Sequence, residues 1–264
     1  MKRRSFVKSA LTAAAVVPMA GASSAADASG KRQFIELRRW VIDSAEANRV
    51  VSNFAQRALL PALKRAGAGK TGFFYHLPDA KNYPEQSHDI YSVAGFDSLE
   101  QWLAVKAQVE NDEEMHKAGA EYFGGDRKNP VYRRIESSLM IAFKGYPRIE
   151  APRSSKDRIF ELRRYESHNE KMAKLKIQMF NHGELDIFAK VGLDGVFYGE
   201  MLAGANMPNL TYMLAYDSIE ERTSNFAAFR IHPEWDTLKK VEKYKGTVSK
   251  VDAIFLKPTP FSEV

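Results

Sequence analysis

Hydrophobic and polar residues alternate in two matching stretches, Ile35-Glu36-Leu37-Arg38-Arg39-Trp40 and Phe160-Glu161-Leu162-Arg163-Arg164-Tyr165. A period of two marks a strand whose two faces meet different surroundings. The second stretch repeats the first 125 residues later, and Tyr216-Asp217-Ser218-Ile219-Glu220 repeats Phe96-Asp97-Ser98-Leu99-Glu100 at a spacing of 120. Repetition on this scale points to two copies of one domain.

The rest of each half follows the same order. Asp43-Ser44-Ala45-Glu46 has capping-box spacing and predicts a helix running to Gly67–Gly69, kinked at Pro61, which lacks a backbone donor. Strands are predicted at 72–76 and 88–96, a capped helix from Asp97, and a closing strand near 134–143. The second half predicts a strand at 158–165, a helix opened by Ser167-His168-Asn169-Glu170, and strands near 195–202 and 209–216. A helix from Asp217 or Ser218 and a strand over about 249–257 complete it.

Strand–helix–strand–strand–helix–strand is the split βαβ plan. The expected fold is therefore α+β, with two tandem ferredoxin-like domains forming a dimeric α+β barrel. Closure within one chain (an intramolecular pseudo-dimer) and pairing between chains (a homo-oligomer) are both allowed. The domains are expected at 27–143 and 158–264, joined by a Pro- and Ser-containing linker at 144–157.

The formal charge of +6 is concentrated at one end. Without Lys2, Arg3, Arg4 and Lys8, 35 basic side chains face 33 acidic ones, a balance of about +2 and no footprint for nucleic acid. Those four residues precede an apolar stretch from Ala10 to Ala20 and then small residues, the order of a secretory signal at 1–26. Arg3-Arg4 with Phe6 and Lys8 resembles the twin-arginine export signal. Cleavage after Ala26 is expected, leaving a soluble periplasmic protein. An apolar run of about eleven residues is too short for a membrane anchor. The absence of cysteine excludes disulfides, Cys-ligated zinc and iron–sulfur clusters.

The alternation also assigns directions. If Leu37 and Leu162 face the helices, then Glu36, Arg38, Trp40 and Glu161, Arg163, Tyr165 face the barrel interior. Buried inward charges must be paired, so these sets form a buried structural network or a site, unless they lie on an exposed, open sheet. In the second case Arg38 and Arg163 bind an anionic substrate and Glu161, with a shifted pKa, serves as base. Tyr198 and Glu200 share a face of the next strand, with Tyr75 at the equivalent point of the first half. These tyrosines either position a ligand or fill space with a polar tip. Ligand-binding candidates are thus Arg38, Arg163, Tyr165, Tyr198 and Tyr75, and catalytic candidates are His182, Glu161 and Glu200.

His182 has Asp186 four residues on, but no third ligand lies nearby in sequence, and no metal is expected. His232 before Pro233 is expected to cap a helix, and His88 to begin a strand at the surface. Gly192-Leu193-Asp194-Gly195 resembles, one residue short, the turn of barrel-fold haem peroxidases, although a turn with positive φ explains the glycines equally well. The chain has no phosphate-binding glycine loop, zincin motif or nucleophile elbow.

Phe160 to Tyr165 resembles the Phe-Glu-Leu-Arg-x-Tyr opening of NIPSNAP domains. Leu214 to Arg222, Phe229, Pro233-Glu234-Trp235, and His182 ahead of Phe188 and Gly192 are similar to the rest of that signature. The first half is a degenerate match. Arg57 stands in place of His182, Trp102 in place of Arg222, and Glu114-Met115 in place of Glu234-Trp235. The resemblance, over about 33–257, implies the barrel fold shared with small-molecule monooxygenases and some haem enzymes, and no settled activity. The expected function is binding, with or without transformation, of a small organic molecule in a barrel cavity, with no tightly held cofactor. A haem-binding barrel and a non-catalytic interaction module are the alternatives.

Overall fold

The alternating stretch at Ile35 becomes strand β1 (Phe34–Val41) in the computed structural model, which describes residues 31–78 and 87–264. The expected export signal and its cleavage point lie outside those residues. Ser44 caps α1 (Ala45–Phe54) by accepting from the Ala47 amide, and a π-helical turn (Ala55–Leu59) leads into α2 (Leu60–Arg65). Strands β2 (Thr71–Leu77) and β3 (Ile90–Phe96), helices α3 (Leu99–Glu110), α4 (Glu113–Ala118) and α5 (Ala120–Phe123), and strand β4 (Arg134–Ala142) complete the first half.

The second half runs β5 (Ile159–Glu166), α6 (Glu170–Met179), a π turn (Phe180–Glu184) and α7 (Leu185–Lys190). Then follow β6 (Asp194–Ala203), β7 (Asn209–Tyr216), α8 (Ile219–Ile231), α9 (Pro233–Leu238) and β8 (Lys250–Pro258). The helix breaks recur at the repeat spacing, so Pro61 alone does not explain the first. The second contains no proline and turns on Gly183, at φ +148°. Asn169 rather than Ser167 caps α6, and the Ser167 hydroxyl donates to the Thr247 carbonyl.

The strands form one closed barrel in the order β1-β3-β2-β8-β5-β7-β6-β4, with β4 returning to β1. Every neighbouring pair is antiparallel. The expectation of two tandem ferredoxin-like domains forming a dimeric barrel is corrected by the pairings of β2 with β8 and of β4 with β6. Through them neither half keeps a sheet of its own, and Lys31–Val264 form one unit. A separate four-stranded sheet would expose two rows of unpaired backbone groups, and closing the ring within the chain removes both edges. The stretch expected as a linker also packs. Ile149 is buried in the interior cluster, and the Glu150 amide donates to the Val196 carbonyl.

Closure gives every strand an inner face, and helices cover the outer face of most strands, although Ile135 of β4 and Val251 of β8 stay exposed. One face meets Ile35, Phe74, Val93, Met140, Phe160, Val196, Met213 and Leu256 inside the ring. The other meets the helices, through clusters around Trp40, Phe54 and Phe73 in the first half and around Phe180, Tyr198 and Tyr212 in the second. Among the described residues no helix is long and apolar enough to cross a membrane.

Candidate functional site

The inward-facing positions form a ladder that grows more polar toward one end. On β1 it runs Ile35, Leu37, Arg39; on β5, Phe160, Leu162, Arg164; on β8, Leu256, Ile254, Asp252; on β4, Met140, Ser138, Glu136. The first rungs belong to an apolar plug, and the later ones line a cavity of about 790 Å³. Leu37, Leu162, Ile254 and Met201 make its apolar wall, and Tyr91, His76 and Thr211 lie beside the charged rung.

Cross-strand register pairs that rung. Arg39 sits opposite Glu136 and Arg164 opposite Asp252. Arg39 Nη1 lies 3.3 Å from Glu136, while its Nε and Nη2 reach the buried Asp89 carboxylate at 2.8 and 2.6 Å. Asp89 also accepts from the Ile42 amide at 2.9 Å, which fixes it behind the arginine. Burial works against the Arg39 charge, but Tyr91 and the two carboxylates outweigh it and hold the pKa up. On the other side Arg164 Nη2 donates to Asp252 at 2.6 Å, and its Nε lies 3.5 Å from Glu166.

His76 reaches the cavity from β2, its Nδ1 accepting from the Ser87 amide at 3.3 Å. That bond needs a lone pair on Nδ1 and so places the proton of the neutral ring on Nε2. Burial lowers the His76 pKa, with Asp89 acting in the opposite direction and Arg39 reinforcing the fall. A depressed folded pKa contributes stability that is present above the unfolded value, about 6.5, and is lost as pH falls through the folded one. An NMR titration of His76 is therefore expected to give a midpoint below about 6.5. A midpoint at or above that value contradicts the buried neutral ring.

The expected orientation of the signature residues is reversed. Glu36, Arg38 and Trp40, and Glu161, Arg163 and Tyr165, face the helices and not the barrel interior. Glu161 is 1% exposed and accepts from Arg222 of α8 at 3.0 and 2.6 Å, from Tyr216 Oη at 3.3 Å, and from Arg163. Arg163 donates to Tyr212 Oη at 2.9 Å and Tyr165 Oη at 3.2 Å, with its guanidinium 4.9 Å from the Phe226 ring. Arg38 pairs with Glu36 at 2.9 Å. The physical reason is that alternation separates two faces without saying which is inner, and on β1 and β5 both faces are at least half-covered. Of the three readings of these sets, the geometry is that of a buried structural network.

The other candidates also lie outside the cavity. Tyr198 stacks on Tyr212 at 5.3 Å under the helices, where burial pushes its pKa well up. Tyr75 shares a 2.5 Å hydrogen bond with Ser52 of α1. Glu200 shares the outer face with Tyr198, as expected, and pairs with Lys174 of α6. His182 is exposed in the second π turn, its Nδ1 3.5 Å from Tyr244 Oη, and Asp186 is exposed as well. Among the described residues no cluster of three or more His, Asp or Glu is placed to hold a metal. His232 stands at the N-cap of α9 but makes no side-chain capping bond.

The Gly192–Gly195 turn has a local explanation. Gly192 takes φ +74° after α7, and a Cβ on Gly195 would lie 2.4 Å from the Tyr198 ring. This turn, whose likeness to haem peroxidases bore on the haem reading, does not line the cavity, and neither does His182. The cavity residues absent from the sequence expectation are Arg39, Arg164, His76, Glu136 and Asp252. One signal was available, because the second arginine of each pair recurs at the repeat spacing on the same face as the leucine.

Three solved structures share the fold over most of their length. A putative monooxygenase from Lactobacillus acidophilus NCFM is 12% identical, with a TM-score of 0.54 over 86% of this chain and 94% of its own. A putative monooxygenase from Fusobacterium nucleatum is 7% identical, with a TM-score of 0.55 over 87% and 93%. An anthrone oxidase-like protein is 11% identical, with a TM-score of 0.53 over 88% and 93%. At these identities the likeness is one of fold. No curated protein matches the chain. The NIPSNAP family model matches residues 160–263, so this second half of the barrel, where Glu161, Arg163, Tyr165, Arg222 and Trp235 gather beneath the helices, is similar to a NIPSNAP domain.

Proposed function

We propose that the barrel cavity binds a small organic molecule without a tightly held cofactor. The observation that carries this reading is the ladder from an apolar plug to a charged rung around about 790 Å³ of space. A mostly apolar concavity of this size with a few convergent polar groups is the usual form of a small-molecule site. The first test uses N-phenyl-1-naphthylamine, an uncharged dye whose emission rises in apolar surroundings. Saturable binding of one dye per chain is expected. Leu162→Trp, which projects an indole into the cavity, is expected to weaken it about tenfold, or about 1.4 kcal/mol. A protein that leaves the dye dark, or a variant that binds it equally well, contradicts a ligand site inside the barrel.

The first half is read as a diverged copy of the NIPSNAP half. The repeated strand motif and the π turns at Ala55–Leu59 and Phe180–Glu184 support this. Export by the twin-arginine route belongs to the same proposal, supported by Arg3-Arg4-Ser5-Phe6-Val7-Lys8 ahead of an apolar stretch. Changing Arg3 and Arg4 together to Lys keeps the charge but removes the feature that route reads. Full-length protein is then expected to stay in the cytoplasm, as checked by fractionation. Normal periplasmic accumulation of the double variant contradicts the assignment.

A further inference from the structure

We propose that the cavity ligand is an uncharged molecule with an apolar body and hydrogen-bonding oxygens at two opposite ends, which span the bridges Arg39–Glu136 and Arg164–Asp252. This inference rests on the cavity reading above and names the ligand class. In the ring of eight strands, β1 and β5 stand four places apart, as do β4 and β8, so the two bridges face each other across the cavity. Both lie one inward rung beyond the apolar wall made by Leu37, Leu162 and Ile254. A molecule crossing from bridge to bridge lays its middle against those side chains.

Charge decides against an anion. Among the described residues the cavity lining carries two guanidiniums and two carboxylates, and each arginine already meets a second carboxylate, Asp89 or Glu166. An anionic group would have to displace one of these partners, and an ammonium group would meet a guanidinium at either end. A hydroxyl or carbonyl oxygen suits such a bridge better. It accepts from a guanidinium N–H, a hydroxyl also donates to the neighbouring carboxylate, and an uncharged group loses far less hydration on entry than an ion. The two ends are not equivalent. Arg39 is paired across strands with Tyr91, and Arg164 with Thr211, so an unsymmetrical ligand has a preferred direction.

The test compares three probes of one shape on the full-length chain, each competing with the naphthylamine dye: para,para′-biphenol, para-phenylphenol and the biphenyl dicarboxylate. The biphenol is expected to bind about tenfold more tightly than the monophenol, and the dicarboxylate more weakly than either. Arg164→Met combined with Asp252→Asn removes one bridge without stranding either partner. In that variant the ratio of biphenol to monophenol affinity, each referred to the dye's own affinity for the variant, is expected to fall to about one. Tightest binding of the dicarboxylate overturns the proposal, as does equal binding of the two phenols or a biphenol preference that survives the double variant. Failure of all three biphenyls to displace a bound dye overturns it too. Absence of dye binding would instead remove the cavity reading itself, so the two failures are distinguishable.

Discussion

Glu161→Ala is expected to lower the unfolding free energy by about 3–5 kcal/mol, because it leaves the arginines of a buried network without their shared partner. Glu161 receives hydrogen bonds from Arg163, Arg222 and Tyr216, and burial already opposes the charge of both arginines. For a unit of this size the loss corresponds to a fall in melting temperature of roughly 6–20 °C. Urea unfolding of the variant and of Glu36→Ala checks it, since the first half supplies an internal comparison. Glu36 accepts from Ser137 at 2.7 Å and pairs with Arg38 at 2.9 Å, but Trp102 stands in place of Arg222, and the second cation is Lys106 at 3.8 Å. The Glu36 variant is therefore expected to lose clearly less. Equal losses would mean that Arg222 adds nothing to the network.

Lys176→Met is expected to cost about 3–5 kcal/mol at neutral pH, and the double change Lys176→Met with Glu184→Met to recover most of it. Lys176 and Glu184 are both buried, with Nζ and Oε2 2.6 Å apart. The ammonium also lies 4.7 Å from the Phe180 ring and 5.6 Å from the Trp235 ring. Burial raises the Glu184 pKa, and Lys176 opposes the rise. Removing the lysine lets the carboxyl pKa climb further. A raised folded pKa contributes stability that is complete below the unfolded value and lost as pH rises through the folded one. The single variant should thus regain stability on acidification from neutral pH. A loss that does not change with pH, or a double variant as weak as the single, would show that the pair is not closed off from water.

The same physics explains what could be read in advance about the candidate site. Alternation at Ile35 and Phe160 identified the strands, and the repeat located their partners, because a strand with two different environments must carry a period of two. The direction of those faces was not legible. Leu37 and Leu162 are apolar enough to lie under helices, yet they line the cavity, and the charged residues beside them lie under helices. Glu161 tolerates that place because Arg163, Tyr216 and, from 61 residues further on, Arg222 reach it. Arg39 and Arg164 were in view throughout as the second of each paired arginine. Their role depends on Glu136 and Asp252, which β4 and β8 bring opposite them.

The sequence by itself determined the order of elements, the caps of Ser44, Ser98 and Ser218, the recurrence of the strand motif, and the resemblance of the second half to a NIPSNAP domain. These follow from local chemistry: period, acceptor side chains and turn residues within a few positions of one another. The tertiary structure alone decided that eight strands share one ring, that the signature residues lie outside the barrel, and that the cavity is lined by their neighbours. Each of these depends on which edge of a sheet meets which. Edge pairing is set by the backbone groups that closure satisfies, and those groups are the same for every residue, so no local pattern of side chains records it.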